Sequence, residues 1–95
     1  MITFLTHIKV RSENAPAFEA AIAEMTAKVR EHEPGVIYYD FFRSEDDPEI
    51  YVVIEIYRDQ AALDDHWKTD FIRPILARTK PLVEGTFDIK RYGTP

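Results

Sequence analysis

Apolar residues recur along the chain with two different periods, and the places where the period changes mark its elements. From Met1 to Val10 they alternate. Ile2, Phe4, Thr6, Ile8 and Val10 share one side of an extended segment, and Thr3, Leu5, His7 and Lys9 share the other, the two-residue period of a strand. After the polar turn Ser12-Glu13-Asn14 the period lengthens. Phe18, Ile22, Met25 and Val29 stand at i, i+4, i+7 and i+11, with Glu19, Glu24, Lys28 and Glu31 on the other side, which predicts an amphipathic helix. Asn14 is placed to cap it and Pro16 falls in its first turn. Glu33-Pro34-Gly35 ends it, because the residue before proline is driven out of the helical region and glycine permits a tight turn.

Two aromatic and β-branched runs follow, Val36–Arg43 and Ile50–Arg58, joined by the polar loop Ser44-Glu45-Asp46-Asp47-Pro48. They predict a hairpin. Each run is apolar on both sides: Val36, Tyr38 and Phe42 around Asp40 against Ile37, Tyr39 and Phe41, then Ile50, Val52, Ile54 and Ile56 against Tyr51, Val53, Glu55 and Tyr57. Asp59 is placed to cap a short helix carrying Ala62, Leu63 and His66, which breaks near Lys68-Thr69-Asp70. A last helix is expected over about Phe71–Arg78, with Pro74 in its first turn, and Val83–Tyr92 alternates as a closing strand.

The order β-α-β-β-α-β predicts an α+β, ferredoxin-like fold over residues 1–95, a four-stranded antiparallel sheet with its helices on one face. A sheet of this kind ordinarily shows a polar face to water, and these strands have none to show. The helices cover one apolar face. The other calls for a second copy, burial being worth about 25 cal/mol per Å² of apolar area, so face accounting predicts a homodimer that encloses a barrel.

Composition narrows the function classes. The chain has 95 residues, and its net charge of −5, from 12 basic and 17 acidic residues, gives no clustered basic surface for nucleic acid. No cysteine is present, which removes disulfide, Fe–S and thiolate chemistry. No run approaches about 18 apolar residues, and MITFLTHIKV lacks the basic leader and cleavage site of a signal peptide, so no membrane partner and a cytoplasmic location are expected. With only three glycines and neither a phosphate-binding loop nor G-x-S-x-G, nucleotide and serine-hydrolase chemistry have no foothold.

The remaining candidates are few. His66 and His7 sit in predicted elements among apolar neighbours, and a histidine exchanges protons near neutral pH without special burial; a hydrogen-bonded core histidine is the other reading of each. His32 ends a helix facing water, as a partner for its dipole. Asp70 stands four residues after His66 and would orient its imidazole if the helix ran that far, with no third ligand spaced for a metal. Trp67, Phe71, Tyr39, Tyr57 and Phe41 would line an apolar cavity or simply fill a core. Glu55 interrupts an apolar strand. It needs a cation from Arg43, Lys9 or Arg11, or else has a raised pKa and a role.

Taken in order, Glu33-Pro34-Gly35, Tyr39-Asp40, Arg43, Asp46-Asp47-Pro48, Glu55, Tyr57, Asp59, Ala62-Leu63, His66 and Phe71 resemble the antibiotic biosynthesis monooxygenase family, whose dimeric α+β barrels include small quinol monooxygenases. The resemblance covers nearly the whole chain. It implies a homodimer with an apolar pocket between sheet and helices, and a monooxygenase that uses neither metal nor flavin: a small phenol or quinol is deprotonated and its anion passes an electron to O₂. His66 matches the family's helix histidine and is the first catalytic candidate; His7, on the first strand where members place a polar pocket residue, is the second. Trp67, Phe71, Tyr39, Tyr57 and Glu55 are the candidate substrate-binding residues. Where many members carry a second histidine before the residue matching Phe71, this chain has Asp70. Where the heme-degrading branch carries asparagine, tryptophan and histidine, it has His7, His66 and Leu76, which argues against axial heme ligation. Because the family also holds isomerases and members without known activity, an isomerase or lyase in the same pocket and a non-catalytic ligand-binding or assembly module stand as alternatives.

Overall fold

The computed structural model describes all 95 residues, Met1–Pro95. Four strands, β1 (Ile2–Val10), β2 (Val36–Arg43), β3 (Ile50–Tyr57) and β4 (Val83–Gly93), form one antiparallel sheet in the order β2-β3-β1-β4. Helices α1 (Ala15–His32), α2 (Gln60–Lys68) and α3 (Ile72–Thr79) cover one face of it. This is the α+β ferredoxin-like arrangement that the periodicity predicts, with the second helical segment split in two.

The split follows from local chemistry. Asp59 accepts a hydrogen bond from the Ala62 amide at 2.9 Å and starts α2. The helix ends at Lys68, where Thr69 turns extended and its hydroxyl donates to the His66 carbonyl at 2.9 Å. Pro74 lies in the first turn of α3, where its missing N–H is no loss. At the start of α1 the expected side-chain cap does not form; the chain enters through a 3₁₀ turn, Ser12–Asn14, and the Asn14 side-chain Nδ2 donates to the Leu82 carbonyl at 3.5 Å instead.

Register sorts the strand residues onto two faces. Tyr51, Val53, Glu55 and Tyr57 of β3 face the helices, together with Thr6, Ile8 and Val10 of β1, while Ile50, Val52, Ile54 and Ile56 face away. The α1 stripe Phe18, Ile22, Met25 and Val29 is buried against the first set. Two irregularities adjust the scheme. A bulge at Ile37 shifts the β2–β3 register, so Val36 packs on the helix side with Tyr39 and Phe41 rather than sharing a face with Tyr38 and Phe42. A second bulge, between His7 and Lys9 in the β1–β4 pairing, takes up extra β4 residues that include Gly85, whose φ of +76° is the left-handed value that favours glycine.

Gly35 sits in the tight turn expected there, which the Val36 amide closes by donating to the Glu33 carbonyl at 3.1 Å. Its φ is not positive; a Cβ at this position would stand 2.7 Å from the Ala62 Cβ. The glycine lets the α1–β2 turn lie directly against α2, and that contact fixes the position of the helix that carries His66.

Candidate active site

A cavity of about 110 Å³ lies between the sheet and the three helices. It is of the same order as the roughly 150 Å³ apolar cavity that accepts a benzene ring. Thr6, Ile8, Tyr39, Val53 and Glu55 form its floor, Phe18, Ile22 and Met25 of α1 and Ile72 and Leu76 of α3 its walls, and His66 and Trp67 project from α2. Trp67 and Ile89, both lining residues, are 44% and 55% exposed and mark its mouth. The walls are apolar except at a few points, the usual make-up of a small-ligand site.

The polar points are linked. His66, 3% exposed, places Nδ1 2.8 and 3.1 Å from the two carboxylate oxygens of Glu33, itself 7% exposed. Glu33 ends α1, its amide donating to the Val29 carbonyl at 2.9 Å. Every hydrogen bond of the imidazole ring runs through Nδ1, and no buried polar side-chain atom lacks a partner. Nε2, with none inside the chain, is therefore the nitrogen the cavity can reach. The ring is wedged among aromatics: Tyr57 and Trp67 meet it edge-on at 5.2 and 5.5 Å, and Tyr39 lies at 5.9 Å.

Glu55 is the second carboxyl near His66. Tyr57 donates its hydroxyl to Glu55 Oε1 at 2.6 Å. Burial raises the Glu55 pKa from its ordinary value, and the Tyr57 hydrogen bond and the nearby His66 offset only part of that rise. The same burial, reinforced by the charges of Glu55 and Glu33, raises the Tyr39 and Tyr57 hydroxyls, so both phenols are held protonated, and that of Tyr57 donates to Glu55. Tyr39 and Glu55 are direct cross-strand neighbours, which explains their coupling.

The expected residues do not all converge. His66, Trp67, Tyr39 and Glu55 line the cavity. Tyr57 does not; it is fully buried behind Glu55 and acts on the cavity only through that carboxyl. Phe71 points elsewhere, onto His32 at 6.0 Å and under the Lys28 ammonium at 5.9 Å. His7 is exposed on the helix-free face, paired across the sheet with Val52 and Asp88, so strand alternation separates it from His66. Asp70 is exposed beyond the end of α2, and the carboxylate beside His66 is Glu33. None of the cations proposed for Glu55 reaches it: Arg43 pairs with Glu19, Arg11 with Glu84, and Lys9 lies on the open face. Glu33 escaped the sequence reading, although a signal was present. It continues the buried stripe of Phe18, Ile22, Met25 and Val29 by another four residues, and a carboxylate on that side needs a buried partner.

These features define a βαββαβ protein with an apolar ligand-sized cavity and a buried histidine–carboxylate pair at its edge. Residues 1–76 match the family model described as antibiotic biosynthesis monooxygenase, and the chain belongs to that family. A crystal structure from Caulobacter crescentus, described as a candidate antibiotic biosynthesis monooxygenase, superposes with a TM-score of 0.93 at 30% identity, covering 99% of this chain and 89% of that one. YcnE of Bacillus subtilis, provisionally named a monooxygenase, is 28% identical over 91 residues, 96% of this chain and 95% of that protein. The uncharacterized protein sll1783 of Synechocystis is 28% identical over 86 residues, and the match spans 90% of this chain but 58% of that longer relative. No helix here is long and apolar enough to cross a membrane.

Proposed function

We propose that the protein is a monooxygenase for a small electron-rich phenol or quinol, working without metal or flavin, with His66 as the base. The observation that carries this reading is the imidazole whose Nε2, free of protein partners, borders an apolar cavity of single-ring size. Nε2 takes the phenolic proton; the phenolate passes one electron to O₂; the radical and superoxide join at a ring carbon; and the hydroperoxide loses water. A phenol and O₂ thus give a quinone and water, and a quinol gives a hydroxyquinone and water, with the substrate as the only reductant. Trp67 and Tyr39 flank the ring, and the apolar walls keep bulk water from the anion.

Substrate-dependent O₂ uptake with 1,4-hydroquinone, corrected for autoxidation, tests the proposal. His66→Ala is expected to lower it by about 10²-fold or more. Glu55 favours a second reading: a carboxyl of raised pKa near His66 is suited to moving protons within a substrate, as an isomerase does. Conversion of a substrate under strict anaerobiosis would select that reading.

The open sheet face supports a homodimer. It carries Ile54, Ile56 and Leu5 at its centre, with Phe42 and Tyr92 44% and 52% exposed toward its edges, an apolar surface that water does not stabilise. Light scattering is expected to give twice the 11.1 kDa chain mass, and a monomer at micromolar concentration would remove the dimer from the reading.

A further inference from the structure

The Glu33–His66 pair is built from parts that make little sense as a plain structural contact. Glu33 occupies the C-terminal cap of α1, where the helix dipole disfavours a negative charge. It is nevertheless buried, and His66 is the only side chain it pairs with. Such a carboxylate is sustained by the group it meets. A histidine that served only to neutralise it would place its second nitrogen on another protein group, yet here Nε2 is left to the cavity.

We propose that Glu33 is the positioning residue for His66, a step that rests on the reading of His66 as the base. A carboxylate only accepts hydrogen bonds, so the contact holds the proton on Nδ1 and leaves the Nε2 lone pair facing the substrate. This reverses the tautomer that a free histidine side chain favours. The turn sets the geometry as well as the charge. Gly35, two residues on, admits Ala62 of α2 at van der Waals contact, and Ala62 lies one helical turn before His66 on the same face. The Glu33-Pro34-Gly35 turn therefore delivers the carboxylate and seats the helix that bears the imidazole. As His66 takes the substrate proton, the carboxylate stabilises the imidazolium.

The decisive measurement is the tautomer of His66 in the ligand-free protein, from long-range ¹H–¹⁵N correlation followed to alkaline pH until the ring nitrogen shifts report a neutral imidazole. The signal missing from His66→Ala assigns it. Wild type is expected to carry the proton on Nδ1, and so is Glu33→Gln, whose amide oxygen still accepts it. Glu33→Leu is expected to change mainly to the Nε2–H form. A wild-type Nε2–H form, or Nδ1–H retained in Glu33→Leu, overturns the proposal, and the wild-type spectrum decides even where the leucine variant fails to fold. In O₂ uptake with 1,4-hydroquinone, Glu33→Leu is expected to lose about 10-fold or more in kcat with little change in KM, and Glu33→Gln to recover part of it. A loss confined to KM overturns the positioning role. If wild type does not consume hydroquinone at all, the monooxygenase reading fails, and the tautomer alone decides the role of Glu33.

Discussion

The two faces of the sheet are built from the same strands and answer to different constraints. Toward the helices, every polar group is paired or borders the cavity: Tyr57 holds Glu55, Glu33 holds His66, and Thr79 donates its hydroxyl to the Leu76 carbonyl. Away from them, Ile54 and Ile56 sit on the same face as His7, Lys9 and Lys90, whose polar ends stay in water. The two histidines make the contrast concrete. In the sequence both stand among apolar neighbours; in the fold one is 3% exposed and held by a carboxylate, and the other lies open on the opposite face. An apolar neighbourhood in sequence therefore does not distinguish the covered face from the open one. What distinguishes them is which layer covers the face.

Adjacent residues offer the strongest test of that contrast. Val53 faces the cavity and Ile54 the open side. Val53→Asp puts an unpaired carboxylate in the core and is expected to cost several kcal/mol, enough to unfold a marginal domain. Ile54→Asp is expected to leave the circular dichroism spectrum intact and convert the proposed dimer to monomer in light scattering. Unfolding in both variants, or association unchanged in the second, would break the comparison. The histidines come next. His66→Ala is expected to remove about 10²-fold of O₂ uptake, whereas His7→Ala is expected to stay within about 2-fold of wild type; an equal loss would place His7 in the mechanism despite its distance from the cavity.

Smaller effects sharpen the picture on the covered side. Gly35→Ala drives a Cβ to 2.7 Å from that of Ala62 and is expected to cost about 1–3 kcal/mol as overpacking, read as a lower Tm. Glu55→Gln is expected to act in the opposite direction. Burial lifts the folded-state pKa of Glu55 above its ordinary 4.5, so the folded protein holds that proton more tightly than the unfolded chain. The stability this provides is complete below pH 4.5 and is lost as pH rises through the raised value. At pH 7 the glutamine variant, which never ionises, is thus expected to melt a few degrees higher than wild type, about 1 kcal/mol being worth roughly 4–8 °C in a domain of this size. The gain should vanish by about pH 4. A gain independent of pH would mean that Glu55 is not strained by its burial.

Most of the architecture was legible because it depends on local periodicity. Alternation in Tyr51–Tyr57 and the four-residue spacing of Phe18, Ile22 and Val29 state which side of each element is apolar, and the order of elements leaves few ways to bury those sides. The Ile37 bulge was not legible, since one extra strand residue changes the face of Val36 without changing the composition around it. The pairing of Glu55 was misjudged for a related reason: arginines are close in sequence to the strand ends, but their side chains point to Glu19 and Glu84, and the group within reach is a tyrosine two residues away on the same face.

By itself, the sequence determined that a four-stranded sheet would have helices on one side and an apolar surface on the other, and that His66 would ride on the short helix after the hairpin. Those properties follow from side-chain period, which each segment carries alone. Only the tertiary structure decided which charged groups meet. Glu33 and His66 are 33 residues apart, and their 2.8 Å contact exists because a glycine without a Cβ lets one turn settle onto one helix. Periodicity fixes directions within an element, but a hydrogen bond between elements depends on ångström-scale packing that no single segment encodes.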